Sequence, residues 1–253
     1  MKNVMVANFQ PGARVKLEQL RGLLDAQLEN SLALGWKCEN ILLVTNFEYA
    51  YEGVIASVVE LNRGCLRGSK MFAVDHLLRA TSFAEDEILW AHDLDAWQNH
   101  WFEPPAFADI GIAEYSRPKF NGGSIFYRPA AADIVGEIVQ VLRESAAQRE
   151  EPTINEVLRR DMYRARVTTL NSTFNLGCSG FVVRYKRSTQ PVLVSHLHPN
   201  NSIAWDTHVN DRNELGQSSM STRLMELLVR RFHGGTPPKK LVRSPKSEAK
   251  GVR

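Results

Sequence analysis

The sequence predicts a single α/β domain over residues 1–233, with a Rossmann-like, mixed central sheet flanked by helices, and a basic tail over 234–253. Three observations predict it. Residues 3–8 (NVMVAN) are a β-branched, apolar run that reads as a first strand. Residues 14–34 carry Val15, Leu17, Leu20, Leu23, Leu24, Leu28 and Leu32 at steps of three and four, the spacing of an amphipathic helix. Ile41-Leu42-Leu43-Val44-Thr45 is apolar almost throughout, as a strand buried on both faces would be. Strand, helix and strand in succession make a βαβ unit, right-handed by the crossover rule. Asn8 and Thr45 then stand at carboxyl ends of parallel strands, where open α/β sheets bind ligands.

Composition narrows the class. A chain of 253 residues, 43% hydrophobic and 23% charged, can bury a sizeable core without disulfides. Its three cysteines, Cys38, Cys65 and Cys178, form no CxxC pattern, which argues against a disulfide framework or a zinc site and suits a reducing cytoplasm. No stretch approaches the roughly 18 apolar residues needed to span a bilayer. The start is too short for a signal segment. A soluble, cytoplasmic protein is the expectation. The net charge of +3 is concentrated: residues 234–253 hold Lys239, Lys240, Arg243, Lys246, Lys250 and Arg253 against Glu248 alone, so the tail carries +5 and the body −2.

Beyond the first unit, helical patterns are read over 53–61 and 69–80, the second with Ser69 as its N-cap. Lys70 falls in that helix's first turn, where the dipole does not favour a cation. It is read as a solvated lysine, or alternatively as one aimed at a phosphate. A strand over 88–95 follows, then a short strand at 110–113 and a Gly-Gly turn at 122–123 running into a β-patterned segment. Helices are expected over 130–146 and 152–162, the latter entered through Pro152-Thr153. Strands are expected at 167–170, 181–183 and 192–199, and a last helix at 219–233.

The stretch His92-Asp93-Leu94-Asp95 draws the rest together. In a strand, residues i and i+2 face the same way, so Asp93 and Asp95 would present two carboxylates on one face. Such a pair repels unless a cation sits between, and hard divalent ions such as Mg²⁺ or Mn²⁺ take carboxylate and phosphate oxygens. A DxD tripeptide also occurs in ordinary solvated loops. The aspartyl-phosphate phosphatases place their pair on the first strand with a threonine following; here a later strand precedes Ala96-Trp97.

HDLDAW, then FNGGSIFYRP about 25 residues on, then an acidic helix start and a late histidine resemble the GT-A-fold, DxD-containing nucleotide-sugar glycosyltransferases, in glycogenin-like style, over roughly residues 3–200. The resemblance implies that Asp93 and Asp95 bind Mn²⁺ or Mg²⁺ together with His196 or, at the same strand end, His198. It further implies a nucleotide-diphosphate sugar, UDP-sugar favoured, held by Asn8, Lys70, Asp93, Leu94, Asn121, Gly122 and Gly123. Asn121-Gly122 alone also reads as a turn. Where similar enzymes carry an Asp-Gln or Asp-Glu pair, this chain has Asn155-Glu156, so Glu156 and Asn155 are the implied catalytic residues; an acid in a first helical turn is also ordinary dipole chemistry. The family's HxGxxKPW ending is absent, Pro199-Asn200-Asn201 standing in its place. Trp97 or Trp101, just past the DxD, could stack on a sugar.

The implied activity is metal-dependent sugar transfer to an acceptor hydroxyl, with retention preferred. The acceptor could be a glycan, a protein or, given the basic tail, a hydroxylated base in DNA. Two alternatives stand beside it. A nucleotidyltransferase would need a Gly-rich, basic loop after the first strand, of which Phe9–Arg14 is a poor version. A non-catalytic, glycosyltransferase-like binding protein would keep the fold without turnover.

Overall fold

The computed structural model describes residues 1–12, 16–61, 68–116, 119–144, 149–177 and 181–196. The expected helix at 219–233, the tail at 234–253 and His198 lie outside those residues. In chain order the elements are β1 (Lys2–Ala7), α1 (Leu17–Ala33), β2 (Ile41–Thr45), β3 (Ala50–Tyr51), β4 (Val54–Ile55), β5 (Ser57–Val58), α2 (Ser69–Ala80), β6 (Leu89–His92), β7 (Ala96–Gln98), β8 (Ile110–Ser116), β9 (Lys119–Tyr127), α3 (Ala132–Glu144), α4 (Glu150–Leu158), β10 (Val167–Leu170), β11 (Leu176–Gly177), α5 (Phe181–Arg187) and β12 (Val194–His196).

Seven strands form the central sheet in the order β10-β8-β9-β6-β1-β2-β5. The βαβ unit is as expected: β1 pairs in parallel with β2, Val4 opposite Leu42, and on its other side with β6, Val4 opposite Ala91. β9 alone in this sheet runs against its neighbours, antiparallel to both β6 and β8. Its amino-terminal half therefore lies at the edge where β1, β2 and β6 end. That single reversal brings Asn121-Gly122-Gly123 beside the end of β6, where Asp93 N–H donates to the Gly123 carbonyl at 2.9 Å.

Alternation along the strands divides the core. Val4, Ala91, Ile112, Ile125 and Tyr127 face α2, α3 and α4, whereas Met5, Leu43, Trp90 and Phe126 face Leu24 and Leu28 of α1. A second, three-stranded sheet of order β11-β12-β7 sets β12 antiparallel to β7, with His196 opposite Ala96. Sequence distance of a hundred residues is closed by this pairing.

Several expectations are corrected. The 53–61 segment is not a helix: β4 and β5 occupy it, because Val54, Ile55, Val58 and Val59 are β-branched and Gly53 takes a left-handed φ of +88° before them. Residues 181–183 open α5 rather than a strand; Tyr185 of that helix packs with Leu176 and Val192 in a small core that overrides the strand preference of two valines. Gly68, not Ser69, is the N-cap of α2. Asn121-Gly122 is no turn but lies within β9, between residues that pair with β8 on both sides of it and ahead of the stretch from Ser124 that pairs with β6. β6 stops at His92, so Asp93 and Asp95 are not strand residues; they lie on a tight turn closed by Ala96 N–H to the Asp93 carbonyl at 2.9 Å.

Candidate functional site

The turn does what the strand was expected to do. It folds Asp93 and Asp95 toward each other, and β12 brings in His196, so that one ligating atom of each lies within 4.8 Å of the others. His196 Nε2 is 2.9 Å from Asp95 Oδ1 and 3.7 Å from Asp93 Oδ2. Gly123 makes room for the imidazole: a Cβ there would overlap the His196 ring. Two carboxylates and an imidazole are a donor set that could hold a divalent ion.

Lys70 is buried, not solvated. Its ammonium contacts Asp93 Oδ1 and the Gly122 carbonyl and lies 3.0 Å from Glu150 Oε1. Burial acts against its charge, but Asp93 and Glu150 more than offset this and hold it protonated well above the usual lysine range. The same burial pushes the Glu150 carboxyl up to about 7, against the pull of Lys70. Glu151, exposed beside it, is raised by desolvation and by Asp93, with His196 pulling the other way. Both acids sit in the first turn of α4, which begins at Glu150, two residues before the expected Pro152 entrance.

His92 precedes the turn, 1% exposed, and stacks on Trp90 with ring centroids 4.3 Å apart. Nε2 is 2.9 Å from Asn3 Oδ1 and Nδ1 is 3.0 Å from the Asp93 carbonyl. Burial lowers its pKa to about 4, so the ring is neutral at physiological pH.

The remaining expected residues fall as follows. Asn8 stands just past β1, and neither its amide nitrogen nor its oxygen has a hydrogen-bond partner among the described residues, although both are buried. Asn121 Oδ1 is used inside the protein, accepting from Gly123 N–H and from Asn175 Nδ2, each at 2.8 Å. Leu94 sits half-buried on the turn. Asn155 ties α4 to β9, accepting from Phe120 N–H at 2.7 Å and donating to Phe120 O at 2.9 Å. Glu156, implied as a base, is exposed and 3.1 Å from Arg160. Trp97 is wholly buried, and Trp101 is half-exposed against Trp36.

Sequence reasoning passed over Glu150 and Glu151. Two adjacent acids ahead of Pro152 were a visible signal for a charged helix start. It also passed over Gln27, a buried amide of α1 that donates to the Leu94 and Ala96 carbonyls.

A mixed sheet with one reversed strand, an acidic turn at its carboxyl edge and a histidine delivered by a satellite sheet define a GT-A-type α/β fold. Among the similar solved structures are glycosyltransferases. They include the galactosyltransferase LgtC in complex with donor and acceptor sugar analogs (12% identity, TM-score 0.54, covering 90% of this chain and 100% of that one). A glycosyltransferase involved in glycosylation of the major capsid of PBCV-1 (12%, TM-score 0.52, 78% and 94%) and GlyE of Streptococcus pneumoniae TIGR4 (12%, TM-score 0.52, 94% and 66%) are also similar. No family model and no curated protein matches by sequence. Among the described residues no helix is long and apolar enough to cross a membrane.

Proposed function

We propose that this protein is a metal-dependent glycosyltransferase that moves a sugar from a nucleoside-diphosphate donor, UDP-sugar favoured, to an acceptor hydroxyl with retention of configuration. The observation that carries this reading is the convergence of Asp93, Asp95 and His196 at the carboxyl edge of a GT-A sheet. A divalent ion held there would neutralise the charge that develops on the departing diphosphate.

The chain's own residues have distinct tasks. Asn8, with two unpartnered buried amide atoms at the end of β1, offers a donor and an acceptor to the nucleoside. Leu94, half-buried on the turn, would line the same end of the donor site. Lys70 braces Asp93 and leaves its second oxygen, Oδ2, on the His196 side. Gly122 and Gly123, whose missing side chains leave room for Glu150 and for the His196 ring, are assigned to the wall of the sugar pocket, and Asn121 fixes their course through Gly123 N–H. Glu151, exposed yet electrostatically tied to Asp93 and His196, is assigned to the reacting face of the sugar in place of Glu156. Asn155 holds α4 in register with β9, which sets where Glu151 stands.

The test is a panel of nucleotide sugars scored for donor hydrolysis, since hydrolysis needs no acceptor. Turnover of one UDP-sugar with Mn²⁺, abolished by EDTA and by Asp95→Ala, is the expected result. Absence of any metal-dependent UDP binding to the wild-type protein by calorimetry overturns the reading.

A further inference from the structure

The helix α1 buries a polar row in an otherwise apolar face. Gln27, Asn30 and Ser31 stand at i, i+3 and i+4, so they share one side of the helix, and they are 1%, 2% and 2% exposed. A primary amide buried that deeply is costly unless its protons are bonded. Gln27 uses its amide nitrogen twice: it donates to the Leu94 carbonyl at 2.9 Å and to the Ala96 carbonyl at 2.9 Å. Those are the two residues on either side of Asp95. One side chain thus grips the backbone before and after a single carboxylate.

We propose that Gln27 is a positioning residue of the metal centre, fastening both carbonyls that flank Asp95 so that its carboxylate is held toward Asp93 and His196. The inference rests on the metal reading above. The turn is otherwise fixed on this side by Ala96 N–H to the Asp93 carbonyl and by the strand pairing, since β7 begins at Ala96, opposite His196. With Gln27 in place, Asp95 is set on a backbone pinned at both shoulders, and its Oδ1 meets His196 Nε2 at 2.9 Å. Asn30 supplies the internal comparison. It is equally buried on the same helix face and donates to the Gln98 carbonyl at 3.0 Å, two residues beyond the grip on Ala96. Both side chains support the same segment. Only Gln27 brackets a ligand.

The test measures Mn²⁺ binding, by the loss of the free-ion electron paramagnetic resonance signal, for wild type, Gln27→Met and Asn30→Leu, with thermal melts of each. Both variants should lose stability. Gln27→Met should in addition bind Mn²⁺ at least about tenfold more weakly, the usual cost of removing a partner that orients a metal ligand. Asn30→Leu should keep the wild-type affinity. Equal Mn²⁺ affinity in the two variants overturns the proposal, whereas a wild type that binds no Mn²⁺ overturns the metal reading and this inference with it. Should Gln27→Met not fold, the wild-type protein decides. The two Gln27 side-chain amide protons should exchange slowly with solvent and shift when Mg²⁺ is added, and rapid exchange or unmoved resonances would overturn the assignment.

Discussion

Replacing Lys70 with methionine removes the cation between Asp93 and Glu150 and keeps the length of the side chain. The lysine side chain is 5% exposed and those of its partners are 37% and 15% exposed. Breaking a buried pair by deleting one member costs about 3–5 kcal/mol, because the surviving charge is left uncompensated. Asp93 is partly solvated, so the lower end, about 3 kcal/mol, applies here. In a protein of this size that lowers the melting temperature by roughly 6–12 °C. The loss depends on pH. Glu150, with its carboxyl raised to about 7, binds more protons in the folded than in the unfolded protein from its ordinary value upward, so it takes stability away as pH rises through 7. Without Lys70 its carboxyl rises further, and the penalty continues to grow above 7. The variant should therefore fall furthest behind wild type at pH 8 and recover much of the gap at pH 5.5, where Glu150 is protonated in both. Urea unfolding of metal-free protein at the two pH values measures this. Adding Glu150→Gln to Lys70→Met should restore stability at pH 8. A gap that is the same at both pH values, or a double variant no better than the single, refutes the account of Lys70 as the counter-ion of two carboxylates.

Gly123→Ala places a methyl group in the His196 ring, so Mn²⁺ affinity measured by calorimetry should fall about tenfold or more, and the melt should fall as well because the buried ring must shift. His92 is buried neutral with a pKa near 4, so the folded protein binds fewer protons than the unfolded one between about 4 and 6.5. Acid should thus remove about 3 kcal/mol of stability from metal-free wild type relative to His92→Phe, read from urea unfolding at pH 7 and pH 4. Glu151→Gln should lower kcat for donor hydrolysis about a hundredfold with little change in UDP affinity, whereas Glu156→Gln, which leaves Arg160 paired with Glu137, should change both little.

The sequence displays what depends on periodicity. β1, α1 and β2 are plain in it because their apolar residues repeat with the period of the element that buries them. Asp93, Asp95 and His196 are visible because residue type and position after apolar runs suffice to mark them. What stays hidden is pairwise. Lys70 looks solvated from its own neighbours, and only the arrival of β6 and α4 encloses it. The Asn121-Gly122 turn signal is local, and the pairing of β9 with β8 on both sides of it and with β6 beyond it overrides it. Gln27 is concealed within a leucine-rich face, since a count of apolar positions passes over the polar residue among them. The direction of β9 decides which of its ends meets the donor edge, and nothing in its own residues specifies that direction.

The stack of Trp90 on His92 has a further use. Five tryptophans contribute to this protein's emission, but Trp90 is wholly buried and lies one residue beyond contact with the DxD turn, through a ring whose Nδ1 faces the Asp93 carbonyl. An indole against an imidazole is a sensitive optical neighbour, and paramagnetic Mn²⁺ quenches nearby fluorophores where Mg²⁺ does not. A metal ion bound by Asp93, Asp95 and His196 would thus have an unlabelled reporter, its occupancy followed as light from a buried residue outside the ligand set.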